Sequence, residues 1–538
     1  MVMKKRKPAK TAMPETLEAA ATADVPIDPG AWNKTLFEAL LDARDKWGGD
    51  RQIIEDTERQ PLTYDRLILG ATIFGAKLEK KTSAGERVGV MLPNVVGVAA
   101  VFFGLQLIDR VPAMLNFSAG LKSVSAGCRA GRITTVISSR KFIAKAGLQD
   151  LIKGLKPQVK FLWTEDIRAS INVFDKVFGV LNAKRARARY TKRRVEPSNT
   201  AVMLFTSGSE GVPKGVVLSH ANILANCEQF LKAEKIDETR AIFNALPTFH
   251  SFGMTVGLVA PIVAGMRTYF YPSPLHYKQI PAEIKASGCD ILVGTDTFAA
   301  AWGRVAKKED FENLTLVVLG AERIKAATYK LWKDKFDISL MEGYGVTECA
   351  PAIAANSPDM HREGTVGRMM PGMQYRIEPI PGLDKGGRLH VKGPNIMRGY
   401  MRYDAPGLLE PPTAGWHDTG DIVEIDADGF ITILGRARRF AKIGGEMISL
   451  AAVEKNISSV WPDDDHAVVA IDHETKGEAL LLITTRTSFE RKELVRWAKI
   501  NGVSELTMPK KSIVVEALPV MGTGKIDYIA IQKIATAE

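Results

Sequence analysis

"TSGSEGVPKG", residues 206–215, decides how the chain is read. An apolar strand-like run, "AVMLF" (201–205), enters it, and a second one, "GVVLS" (215–219), leaves it. A helix is expected only after that, with Ser219 as N-cap and Ile223, Leu224, Cys227, Phe230 and Leu231 at helical spacing. A P-loop joins a strand to a helix and ends Gly-Lys-Ser/Thr. Counted from Gly208, Pro213 stands where the second glycine belongs and Gly215 where the hydroxyl belongs. No Gly-x-Gly-x-x-Gly follows a strand either. What remains is a turn between strands that gathers hydroxyls (Thr206, Ser207, Ser209), Glu210, the glycines Gly208 and Gly211, and the cation Lys214. Backbone amides, hydroxyls and a cation converging on one turn suit a polyphosphate.

Outward from this loop, strand-like runs such as "RVGVML" (87–92), "DILVG" (290–294) and "LTLVVLG" (314–320) alternate with helical stretches. The alternation predicts a large α/β domain with buried strands. "VVGVAAVFFGLQLI" (95–108) is too short to span a bilayer and reads as a buried helix. After about residue 430 the texture changes to short strands, "GFITILG", "HAVVAID", "EALLLITT" and "SIVVEAL", with the helical stretch "RKELVRWAKIN" among the last three. The expected organisation is a disordered basic tail over 1–30, an N-terminal domain over 31–437 and a small α+β domain over 438–538. The 538 residues, 46% hydrophobic, supply ample core for this. Four widely spaced cysteines give no zinc spacing and read as reduced thiols of a cytoplasmic protein.

The net charge of +11 is concentrated in two places. "MVMKKRKPAK" (1–10) carries five basic residues and "KRARARYTKRR" (184–194) seven, with no acid in either. The body is close to neutral, which disfavours nucleic acid as a partner.

Four further stretches complete a pattern with the loop: "EGYGVTE" (342–348), "HDTGD" (417–421), "GRARRFAKIGGE" (435–446) and "MGTGKID" (521–527). Together the five resemble, in order, the motifs of the acyl-adenylate-forming enzymes, over roughly residues 35–535. "YPSPLHY", "GPNIMRGY" and "RFAKIGGEMISL" narrow the likeness. They resemble the synthetase half of the bifunctional acyl-ACP synthetase/2-acylglycerophosphoethanolamine acyltransferases.

The resemblance implies the chemistry. A fatty acid attacks the α-phosphate of ATP, giving an acyl-adenylate and pyrophosphate, and a pantetheine thiol then takes the acyl group. Negative charge accumulates on the phosphates, so cations and oriented dipoles carry such a reaction. The likeness assigns the loop residues and Lys214 to the β and γ phosphates, Thr347 to the α-phosphate and Glu348 to Mg2+. It places Gly320, Ala321, Gly343, Tyr344 and Gly345 around adenine and the acyl group, and Asp421 on the ribose with Arg436 beside it. His250 stands at the acyl tunnel mouth, where Gly253 and Gly257 are expected to let the chain pass. Lys525 is the catalytic lysine of a small domain that rotates about Arg438. The second pose presents Lys442 to Glu446 to the thiol. An arginine at the hinge departs from the usual Asp or Lys.

The acceptor implied is acyl carrier protein, with coenzyme A as the alternative. The acyltransferase half of the bifunctional relatives needs a histidine with an aspartate five positions later, and none of the eight histidines here has one. A non-catalytic binding module is disfavoured because Lys525, Glu348 and Asp421 are all present. "INVFDKVFGVLNAKRARARY" (171–190) sets apolar residues at helical spacing before the basic run, so an anionic membrane surface is expected, with peripheral placement on the inner membrane.

Overall fold

The computed structural model describes residues 17–19, 25–206, 212–380, 383, 385–443, 446–473, 477–520 and 525–537. Those residues form four sheets, of nine, seven, five and five strands. The centre of the nine-stranded sheet is parallel: Arg267–Phe270, Ala241–Asn244, Ile291–Gly294, Leu316–Leu319 and Leu340–Gly345 lie side by side. Every residue of Ala241–Asn244, Ile291–Gly294 and Leu316–Leu319 is buried. Continuous apolar runs are what strands covered on both faces require.

The seven-stranded sheet is parallel through Val111–Met114, Arg87–Met91, Thr135–Ser138 and Lys160–Trp163. Its other side is a hairpin, Thr200–Thr206 against Lys214–Ser219, with Thr206 opposite Lys214. Ser219 caps helix His220–Ala233 by accepting from Asn222 N–H, and Asn222 returns a bond to the Ser219 amide. Val96–Leu107 is a helix buried almost all round, as its composition dictates. Among the described residues no helix is long and apolar enough to cross a membrane.

The third sheet is antiparallel: Gln374–Glu378, Gly387–Lys392, His417–Ile425 and Ile431–Arg436. "GFITILG" therefore belongs here and not with the C-terminal strands that follow. One edge is Leu17–Ala19, paired with Gln374–Glu378. This corrects the expectation of a wholly disordered tail: three residues inside 1–30 find an open sheet edge.

The fourth sheet holds Phe440–Ile443, Glu446–Ser449, Gly477–Thr484, His466–His473 and Lys511–Val514. Helices Leu450–Val460 and Arg491–Ile500 pack into one core cluster with it, and Tyr528–Thr536 into a second. All four cysteines are free and buried.

Candidate active site

The carboxyl ends of the parallel strands converge on one cleft, of about 1100 Å³. Leu316–Leu319 delivers Gly320 and Ala321, Leu340–Gly345 delivers Gly343, Tyr344 and Gly345, and the turn after it delivers Thr347 and Glu348. The chain beyond Ala241–Asn244 brings His250. Thr206 and Lys214 line the cleft from the hairpin, Arg436 and Arg438 from the end of the antiparallel sheet, and Lys525 from the C-terminal part. Sites separated by hundreds of residues in sequence thus share one cavity. Ser207, Gly208, Ser209, Glu210 and Gly211 lie outside the described residues. The backbone of Lys442 pairs with Met447 across a hairpin.

Sheet register sets the first constellation. Asp421 and Arg436 stand opposite each other on neighbouring strands. Arg436 Nε lies 2.7 Å from Asp421 Oδ1, and the Tyr344 hydroxyl donates to Oδ2 at 2.5 Å. Asp421 is buried, and desolvation raises its pKa above the ordinary value while the Arg436 charge lowers it. A carboxylate has about four acceptor directions, so Asp421 keeps room for two hydroxyls. Asp418 is bound to Arg388 and to the Gly420 amide, and Gly420 takes φ +70°. That pair shapes the turn before Asp421, a conformation that suits glycine.

The second constellation runs Lys214, Tyr400, Glu348. The Lys214 ammonium sits 5.2 Å from the Tyr400 ring centroid, and the Tyr400 hydroxyl donates to Glu348 Oε1 at 2.6 Å. Tyr400 closes "GPNIMRGY", but nothing in its spacing marks it as a neighbour of Glu348. The Ser251 and Thr347 hydroxyls are 3.5 Å apart.

Backbone shape matters as much as side chains. Ala321 has φ +69°, a left-handed conformation uncommon without glycine. A Cβ at Gly345 would stand 2.3 Å from the Pro351 carbonyl oxygen, so only glycine admits that approach. The same test corrects the expectation for Gly253 and Gly257. A Cβ at Gly253 would strike the Pro247 and Leu246 carbonyls, and one at Gly257 the Asn244 amide. Neither lines the cleft. They let the helical segment 251–264, with a π turn over Thr255–Val259, pack against the strand end. Apolar wall is instead supplied by Phe230, Phe252, Val256, Val318, Ala354 and Met370.

Lys525 directly precedes Ile526, which forms a β-bridge with Val520, and Asp527 caps the next helix by accepting from the Ile529 and Ala530 amides. Both ends of its segment are thereby fixed. Burial lowers the Lys525 pKa, Glu322 raises it, Arg436 lowers it and Asp421 raises it. Glu322 accepts from the Thr297 hydroxyl at 2.7 Å and is itself raised by burial. Sequence patterns gave no sign of Glu322. His250 is pulled down to about 3 by burial, with the Lys525 charge adding to it. Burial therefore favours the neutral imidazole, which suits positioning over a cationic role.

Among the described residues no group of three or more His, Cys, Asp or Glu forms a metal nest. The lone carboxylate Glu348, held by Tyr400 on one oxygen, fits a divalent ion of the Mg2+ kind, which keeps waters and takes its other ligands from phosphates.

An α/β fold whose parallel strands end at a cleft lined by Lys214, Thr347, Glu348, Arg436 and Lys525 agrees with an adenylate-forming enzyme. The sequence profile of the family described as AMP-binding enzyme matches residues 41–401, and the chain belongs to that family. It is an AMP-forming ligase that uses ATP. The chain is 27% identical to a long-chain-fatty-acid–CoA ligase of Yersinia pestis, covering 94% of this chain and 95% of the relative. It is 26% identical to that of Haemophilus influenzae, over 91% and 93%. Among solved structures, ATP-bound MatB from Rhodopseudomonas palustris superposes with TM-score 0.78 at 22% identity, over 93% and 99% of the two chains. The o-succinylbenzoate CoA synthetase MenE of Bacillus subtilis with its acyl-adenylate gives 0.77 at 19%, over 92% and 97%. These two structures establish the fold.

Proposed function

We propose that the protein is a fatty acid–coenzyme A ligase of medium- or long-chain specificity, carried by one observation: Lys525 of the C-terminal part shares a cleft with Glu348, with Arg436, which is paired to Asp421, and with an apolar wall. ATP lies with its ribose on Asp421 and its phosphates between Lys214 and Thr347. When bound on Glu348, Mg2+ neutralises phosphate charge. Lys525 donates to the bridging region between carboxylate and α-phosphate as charge builds there. Neutral His250 orients the acid, and Phe230, Val256 and Met370 take its chain.

The carrier-protein acceptor expected above finds no support among the relatives, which are named as CoA ligases. With ATP, oleate and equal concentrations of the two thiols, coenzyme A should take most of the acyl group. A product dominated by acyl carrier protein would restore the first expectation and remove this one.

The lysine must be protonated to act, and burial already lowers its pKa. Glu322 opposes that loss. Removing the negative charge, as in Glu322→Gln, lowers the Lys525 pKa further, so the alkaline limb of adenylation should move to lower pH. Pyrophosphate exchange measured across pH checks this; an unmoved limb would separate Glu322 from the lysine.

A further inference from the structure

Helix Val173–Lys184 faces the wrong way for a globular protein. Its inner side is the close one: Asp175 pairs with Lys77 at 2.5 Å, and Gly179 is buried where a Cβ would stand 2.5 Å from Ile73. That side rests on helix Tyr64–Glu79. Val173, Phe174, Val177, Phe178, Val180 and Leu181 all turn outward. Val173 is 72% exposed and Phe174 74%. Scattered exposed apolar residues are ordinary, but an unbroken stripe with two phenylalanines on one helix marks an interaction surface.

Charge selects the occupant. The basic run that follows divides into two sets. Arg187 bonds Asp42 and Asp45, and Arg193 bonds Glu79, so these arginines fasten helix Ala186–Thr191 to the domain. Lys184, Arg185, Arg189, Lys192 and Arg194, with Lys176 on the helix itself, have no ion-pair partner among the described residues, and all are exposed. Free cations therefore flank the apolar stripe, and its acid, Asp175, is paired inward. Aromatic and aliphatic groups ringed by uncompensated cations match the interface of an anionic lipid bilayer.

We infer that helix Val173–Lys184 inserts its Phe174–Leu181 face into the headgroup region of an anionic membrane. The free cations around it hold the lipid phosphates. The inference rests on the reading of the substrate as a fatty acid, which partitions into the same interface.

The test uses the full chain with two kinds of vesicle, phosphatidylcholine alone and phosphatidylcholine with phosphatidylglycerol. The native protein should float with the anionic vesicles, and far less with the neutral ones. Phe174→Ser/Phe178→Ser should lower flotation on anionic vesicles by roughly tenfold with all charges retained, because the anchoring apolar area is gone. Lys184→Gln/Arg185→Gln should weaken flotation mainly at low salt, since screening already removes that part at high salt. Both variants should activate octanoate, which is soluble, at the native rate; that control reads the ligase assignment separately and also reports folding. Equal flotation of native and serine variant would overturn the proposal. So would a native dimer in solution that the serine variant dissociates, because a second copy would then cover the face.

Discussion

Lys525→Ala should reduce acyl-adenylate formation by on the order of 10²–10³-fold, as loss of one preorganised donor to a transition-state charge does. Folding should not suffer. The lysine makes no ion pair among the described residues, and burial already disfavours its charge. Removing it deletes a desolvated cation and no packing anchor, because Ile526 and Asp527 keep the bridge and the helix cap. The measurement is pyrophosphate release with ATP and a fatty acid. Thioester formation from supplied acyl-adenylate should be far less affected, since the lysine serves the first step alone. Pyrophosphate release at the native rate would take Lys525 out of the mechanism.

Arg438→Pro should uncouple the two half-reactions. Ala437–Arg439 is a short 3-10 turn between strand Ile431–Arg436 and strand Phe440–Ile443, the only described backbone joining the antiparallel sheet directly to the C-terminal one. Arg438 is exposed and lines the cleft, so its side chain is not a packing element. Proline there fixes φ and drives Ala437 away from helical backbone. The chain then favours one orientation of the small domain. One half-reaction should fall by roughly tenfold or more while the other persists. Single-turnover adenylation and thiolation, measured separately, decide it; equal loss of both would indicate misfolding in place of a hinge.

Much of the architecture is readable from the residues. The strands "RVGVML", "DILVG" and "LTLVVLG" come from uninterrupted β-branched and aliphatic runs, and burial on both faces leaves no other use for them. The candidate residues Asp421, Tyr344, Glu348 and Lys525 are legible because ordered motifs carry them. Tyr400 and Glu322 are not, for a physical reason: Tyr400 meets Glu348 only through tertiary approach, and Glu322 is marked only by its charge acting on Lys525. Tyr400 stands 52 positions from the carboxylate it bonds, and nothing local distinguishes it from a core tyrosine. The edge strand Leu17–Ala19 was missed because three residues carry too little periodicity, and the partner edge is more than 350 residues away. Gly253 and Gly257 show the converse. Small residues beside a predicted tunnel suggested open space, whereas the space is taken by carbonyls and an amide.

The four cysteines bear on fidelity. An acyl-adenylate reacts with any thiolate that reaches it, and a protein that makes one beside its own thiols risks acylating itself. Cys349 adjoins Glu348 at the centre of the chemistry, yet it is fully buried and its pKa is driven well above the ordinary value by desolvation. Cys128 is pushed to about 12 and Cys289 to about 11, and Cys227 is raised as well, all by burial. Each stays a protonated, inaccessible thiol. The activated acyl group is thus left for the incoming acceptor, and the enzyme is spared from becoming its own substrate.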